Sequence, residues 1–313
     1  MKTLSKKEIL QKLSELDLSK YPCEEANQLI SGLGKYGAIV TYLPLNKSII
    51  RARVNCISEE FSNTSQLSYK PSEFNFTFQR ASTPNTTMFY GAVLPENIKD
   101  GEIDCSRLVG TCEISNLFRD KSIMEGEQTI TFGKWTVTND IPLISIVHYN
   151  DYHDQNSLTK ELFDDYNKFI NSYPTEIIEE SITVSEFFAN QFAKAETPND
   201  YDYLLSAIYT ERISQMKIEN LQLAGVYYPS VRTEGKGFNV AISPKFADSS
   251  LELSAVVECV LYKKGNYIVV DNVKEAILSK GEKEFILEKI TDPKIHLGRE
   301  KCYEILESKI KKN

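Results

Sequence analysis

An α+β fold is what this chain predicts, on three observations. Strand-like runs lie both before and after a helical middle section, and strands and helices do not alternate regularly as a doubly wound sheet requires. No Pro/Gly-rich linker divides the 313 residues, and no internal repeat or low-complexity tail appears. At this length a chain can bury a large core without disulfides or metals.

The elements follow in order. Residues 3–18 carry Leu4, Ile9, Leu10, Leu13 and Leu16 at helical spacing. A second short helix is expected over 23–33, ending at glycine. AIVTYLPL (38–45) and SIIRARV (48–54) read as β-branched strands separated by a turn at Asn46. Residues 57–77, rich in Ser, Asn and Pro, read as a long irregular connection. TMFYGAVL (87–94) reads as a strand and 103–114 as a helix, followed by the strands QTITFGKWTV (128–137) and PLISIVHY (142–149). Apolar residues three and four apart predict helices over 156–171, 183–194 and 202–217. The strands GVYYPSV, FNVAI, SAVVECVLY and NYIVV come next, and a charged helix over 298–311 closes the chain.

Composition narrows the function. Asp and Glu outnumber Lys and Arg 44 to 36, a net charge of −8. That balance disfavours a protein whose main task is gripping nucleic-acid phosphates, while leaving room for a local basic pocket. No apolar run is long enough to span a membrane, and the first residues lack a signal-peptide pattern. Six scattered cysteines with no CxxC pair read as reduced thiols. A cytoplasmic protein is expected.

Two motifs invite a cofactor or metal reading. GLGKYG (32–37) has dinucleotide-loop glycines, but that loop needs a strand before it and a helix after it. Here a helix comes first, so a glycine-terminated helix is expected. HYNDYHD (148–154) gathers His148, Asp151, His153 and Asp154 without a standard ligand spacing, and a polar strand-to-helix connection accounts for it. No GxSxG or GxxxxGK[ST] motif occurs.

Four segments carry the chemistry together: FQRASTPNTTMFYGA (78–92), SRLVGTCEIS (106–115), AGVYYPSVR (224–232) and EGKGFNVAIS (234–243). Taken singly, an Arg at a strand start, a strand Tyr or a Ser after Pro each has an ordinary structural explanation. Glu113 fits that explanation least, because Val109, Cys112 and Ile114 surround it in sequence.

In order, Arg80, Phe89-Tyr90-Gly91-Ala92, Glu113, Gly225, Tyr228-Pro229-Ser230 and Asn239 resemble the pattern of the RES domain, and RARV (51–54) resembles its opening segment. The resemblance spans about residues 48–250. It departs in the longer connection between Tyr90 and Glu113, which leaves Glu102 as a rival acid, and in Ser82, where the family often has Asn.

The resemblance implies an ADP-ribosyltransferase-like split antiparallel sheet around a cleft for NAD as substrate, with no metal. It places an N-terminal helical extension at 1–45, the catalytic domain at 46–250 and added strands and a helix at 251–313. It implies NAD cleavage by hydrolysis or phosphorolysis, the activity by which several of the family's members act as toxins paired with an antitoxin protein. The alternatives are ADP-ribosyl transfer to a protein or small molecule, and a non-catalytic interaction module. Under this reading Glu113 stabilises the cationic ribose and Arg80 pairs with the pyrophosphate. Tyr90 meets the nicotinamide side, Ser230 holds a phosphate or ribose oxygen, and Tyr228 and Asn239 complete the binding set.

Overall fold

The computed structural model describes residues 4–195, 197–218 and 220–311. Helices α1 (Lys6–Glu15) and α2 (Cys23–Gly32) lead into strands β1 (Val40–Leu43) and β2 (Ser48–Val54). A long connection reaches β3 (Phe89–Val93), then α3 (Ser106–Ile114), the short α4 (Asn116–Arg119), β4 (Glu125–Val137) and β5 (Ile141–Ser145). The helical section is α5 (Ser157–Ile170), α6 (Thr175–Phe192) and α7 (Leu204–Gln215). A small ribbon, β6 (Lys217–Ile218) with β7 (Leu221–Gln222), precedes β8 (Gly225–Pro229), β9 (Phe238–Ile242) and α8 (Pro244–Ser250). The chain closes with β10 (Leu251–Lys264), β11 (Tyr267–Ile277), β12 (Glu288–Lys289) and α9 (Arg299–Ile310).

Local chemistry sets the boundaries. Ser5 and Glu8 form a capping box that starts α1, and Asn156 caps α5 through the Thr159 amide. Helix α2 stops at Gly32, and Gly34 takes a positive φ of 63°, so the glycines of 32–37 terminate a helix. Asn46, at φ 66°, makes the turn between β1 and β2.

Some expected boundaries move. Helix α6 starts at Thr175, behind Pro174, rather than near 183; its first turns carry Glu176, Glu179 and Glu180, and Ile177 is exposed, which blurs the apolar period. Strand β4 starts at Glu125 because β10 pairs with it all the way to Lys264. The run expected to be strand to 149 leaves the sheet after Ser145, although Ile146, Val147 and His148 stay buried. Helices α4 and α8 are too short to show a period.

Ten strands form one sheet in the order β1-β5-β8-β9-β3-β2-β4-β10-β11-β12. Every neighbouring pair is antiparallel except β5 and β8, so the architecture is α+β with a mostly antiparallel sheet. Strands β5, β8 and β9 are buried throughout because both faces are covered. On one face α1, α2, α6 and α7 supply Leu13, Ala26, Phe188 and Leu205 against Ile144, Val226 and Ala241. On the other, Phe61, Leu67 and Trp135 pack with Phe89, Tyr227 and Phe238.

The sheet has one weak seam. Strand β3 pairs with β9 along all five residues, and β2 pairs with β4 along all seven. Between β2 and β3 the register holds a single pair, Ile50 with Ala92. Beyond this point the two halves are not paired in register, and the Arg51 side chain of β2 reaches across to the Tyr90 carbonyl of β3. Helix α3 covers the seam, coming close because Gly110 faces the Ala52 methyl and Gly237 leaves room for Val109.

Gly225 opens β8 at φ 150°, and a Cβ there would lie 2.0 Å from the Ala241 carbonyl oxygen. Gly225→Ala should therefore cost on the order of 2–4 kcal/mol of unfolding free energy or prevent folding. Chemical denaturation measures this, and unchanged stability would contradict the β8–β9 register.

Candidate functional site

A cleft of about 460 Å³ opens at the seam, within the roughly 300–1,000 Å³ typical of small-molecule sites. Strand β2 contributes Ile50, Arg51 and Ala52, β3 contributes Tyr90, and α3 contributes Glu113. Tyr228 and Asn239 come from β8 and β9, while Arg80, Tyr203 and Arg232 come from connections.

Glu113 stands in the last turn of α3, and its carboxylate turns towards the β8–β9 end of the sheet. The Ser230 hydroxyl donates to Glu113 Oε1 at 2.6 Å, and the Asn239 amide donates to the same oxygen at 2.6 Å. Ser230 is fully buried and Asn239 nearly so. Among the described residues no donor sits on Oε2. The carboxylate is thus held by one oxygen while the other is available to a ligand.

Ser230 owes its position to the turn after Pro229. Its amide donates to the Gly237 carbonyl at 2.7 Å, and its own carbonyl accepts from Gly235 at 2.9 Å. The residue that sequence assigned to a ligand oxygen therefore bonds the catalytic candidate, and Asn239 does the same.

Tyr90 closes the cleft on the β3 side. Its hydroxyl accepts from the Ala81 amide at 3.1 Å and shares a 2.8 Å hydrogen bond with Ser82. Burial, the dominant influence, pushes its pKa up to about 12, so it remains a neutral phenol at physiological pH. Tyr228 is 4 % exposed and packs on Phe192, and burial followed by the nearby Glu113 charge raises its pKa well above the ordinary value.

Arg80 is anchored differently from what sequence suggested. Both terminal nitrogens donate to backbone carbonyls at the end of α6, Phe192 and Lys194, and the guanidinium lies 5.0 Å from the Tyr203 ring centre. Its charge faces the cleft while two carbonyls fix its orientation. Glu102 lies away from the cleft: its carboxylate accepts from the amide and hydroxyl of Ser157, at 2.6 and 3.2 Å, at the start of α5. The structure brings Arg80, Tyr90, Glu113, Tyr228, Ser230 and Asn239 together and leaves Glu102 out.

Two further arginines line the cleft, Arg51, within the RARV segment that resembles the RES opening, and Arg232, neither given a role from sequence. Arg51 spans the seam, its Nε donating to the Ser68 carbonyl at 2.9 Å and a terminal nitrogen to the Tyr90 carbonyl at 2.8 Å. Desolvation, with Arg53 nearby, pushes its pKa down to about 10, and it stays charged at neutral pH. Arg232, two residues after Ser230, is exposed at the mouth. Three arginines thus line a cleft whose wall holds a single carboxylate, a local positive field in an acidic chain.

The HYNDYHD segment does another job. His148 is buried, 4.1 Å centre to centre from the Tyr166 ring and 5.6 Å from Phe163. His153 bonds the Asn150 carbonyl and Asp154. Among the described residues no group of three or more His, Cys, Asp or Glu could hold a metal ion. No helix among them is long and apolar enough to cross a membrane.

Comparison with protein-family models, with curated proteins and with solved structures finds no match.

Burial lowers the His148 pKa from 6.5 to about 4, so the unfolded chain binds this proton first as pH falls. The neutral ring's contribution is present above pH 6.5 and is lost between pH 6.5 and about 4, on the order of 3 kcal/mol in all. His148→Phe should flatten that part of the stability profile, measured by denaturant melts from pH 7 to 4. An unchanged acid limb would assign it to other groups.

Proposed function

We propose that the protein cleaves the nicotinamide–ribose bond of NAD at the seam cleft, as its resemblance to the RES domain implies. The observation that supports this most is the Glu113 carboxylate, fixed through one oxygen by Ser230 and Asn239 and open at the other. The interrupted β2–β3 pairing supports an ADP-ribosyltransferase-like split sheet around the substrate.

Breaking the glycosidic bond sends its electron pair to nicotinamide and leaves positive charge on the ribose. A carboxylate already oriented beside the ribose stabilises that charge without reorganising, and most strongly where water is excluded. Ser230 and Asn239 are positioning residues in this scheme, since they act through Glu113. The charges of Arg80, Arg51 and Arg232 balance the pyrophosphate. Tyr90, a neutral phenol, borders the nicotinamide side. Water then adds to the ribose C1′, giving ADP-ribose, nicotinamide and a proton; inorganic phosphate in place of water gives the phosphorylated sugar.

One observation favours transfer to an acceptor as a second reading. A wider groove, about 1420 Å³, shares Arg51, Gln79 and Tyr90 with the cleft and offers space beside it for a larger substrate. A role as a toxin neutralised by an antitoxin protein belongs to the same proposal and would appear as growth arrest on expression.

Purified protein incubated with NAD, with and without phosphate, should release nicotinamide. Glu113→Gln should lower kcat/KM about 10²–10³-fold. Ser230→Ala should lower kcat with little change in KM, because it loosens the carboxylate and leaves substrate contacts in place. Absence of nicotinamide release under every condition would point to a non-catalytic module instead, and an active Glu113→Gln variant would remove Glu113 from the reaction.

A further inference from the structure

The far edge of the sheet carries a feature unrelated to the cleft. Strands β11 and β12 pair through Lys274 with Lys289 and Glu275 with Glu288, placing like charges opposite each other on both faces. Directly opposed like charges destabilise a strand pair, their Cβ atoms lying only about 5 Å apart. On one face the repulsion is relieved, since Lys274 contacts Glu60 at 2.5 Å and Glu258 at 3.2 Å. On the other face no cation lies within ion-pair distance of Glu275 or Glu288 among the described residues.

Side-chain alternation puts two further residues on that same face. Ile277 lies two residues after Glu275, and Ile286 two before Glu288. Their neighbours Ala276 and Leu287 point the other way, into the core. The isoleucines are 79 % and 84 % exposed, among the most exposed large apolar side chains described. All four residues line one open concavity, joined there by Glu282 and Glu284, with no Lys or Arg in its wall.

An exposed apolar pair rimmed by unneutralised carboxylates has the composition of an interaction site awaiting its complement. We infer that the β11–β12 face, through Glu275, Ile277, Ile286 and Glu288, binds a polypeptide segment in which Lys or Arg flanks apolar residues. The isoleucines bury the segment's apolar side chains, and its cations relieve the carboxylate repulsion that the free protein bears. A second copy of this chain would present the same negative face to itself by two-fold symmetry, so charge selects against that occupant. This face is independent of the NAD reading: its strands form the end of the sheet, with β10 and β4 between them and β2, which lines the cleft.

The test uses the full chain and a short fluorescent peptide alternating lysine and leucine, beside the same peptide with glutamate for lysine. The lysine peptide should bind, increasingly weakly as salt rises, and the glutamate peptide should not. Ile277→Ser combined with Ile286→Ser should weaken binding at least about tenfold, and Glu275→Gln with Glu288→Gln should flatten the salt dependence. Without peptide, the Glu→Gln pair should melt at a higher temperature than the parent, since it removes repulsion, and this readout does not require a folded-state contact to be broken. Equal binding by all variants, binding of the glutamate peptide, or a dimer of the parent that the Ile→Ser pair dissolves would each overturn the assignment. Nicotinamide release from NAD should be unchanged in these variants, which separates failure at this face from failure at the cleft.

Discussion

The structure turns on how little backbone joins β2 to β3. A sheet usually gains rigidity from continuous pairing, and here eight of the nine junctions between the ten strands supply it in varying length while this one offers a single register pair. Polar backbone left without a partner at such a place must find another, because burying it unpaired costs free energy. Arg51 meets that need on one side by donating to the Tyr90 carbonyl, so a charged side chain stands where a strand neighbour would otherwise be. The cleft is a consequence of that substitution, and its positive lining comes with it.

Helix α3 then depends on the same seam. It packs against Ala52 and the β8–β9 turn, and its last turn delivers Glu113 to donors on two different segments. Those donors are separated from it by 117 and 126 residues in the chain. The carboxylate therefore acts as a long-range tie between the end of α3 and the β8–β9 segment. Two charge-assisted hydrogen bonds of this kind are each stronger than an ordinary neutral one.

Much of this was readable in the sequence, for definable reasons. The strands and the helical middle showed because their apolar periods differ, and Arg80, Tyr90, Glu113, Ser230 and Asn239 showed because they sit in short ordered motifs at the ends of elements. What was hidden depended on partners far away in the chain. Nothing local tells that Ser230 bonds a glutamate or that Arg80 is tied to the end of α6. RARV (51–54) stood out as a motif, but nothing local tells which of Arg51 and Arg53 crosses the seam. The segment 146–148 reads as strand in sequence but leaves the sheet, because burial alone sustains an apolar run whether or not the backbone is paired.

The connection before β3 has a kinetic meaning. Arg80 lies on a loop fastened at several points: the Asn75 amide bonds the carbonyls of Thr83 and Thr86, the Phe78 amide bonds Asp200, and the Ala81 amide bonds Tyr90. A free arginine loses on the order of 1–2 kcal/mol of rotamer entropy when it is immobilised. Here that loss falls at folding, so under the proposed function an anion arriving at the cleft would meet a guanidinium that no longer has to be gathered in. Pre-organisation of this kind slows departure of the bound ligand more than it speeds arrival.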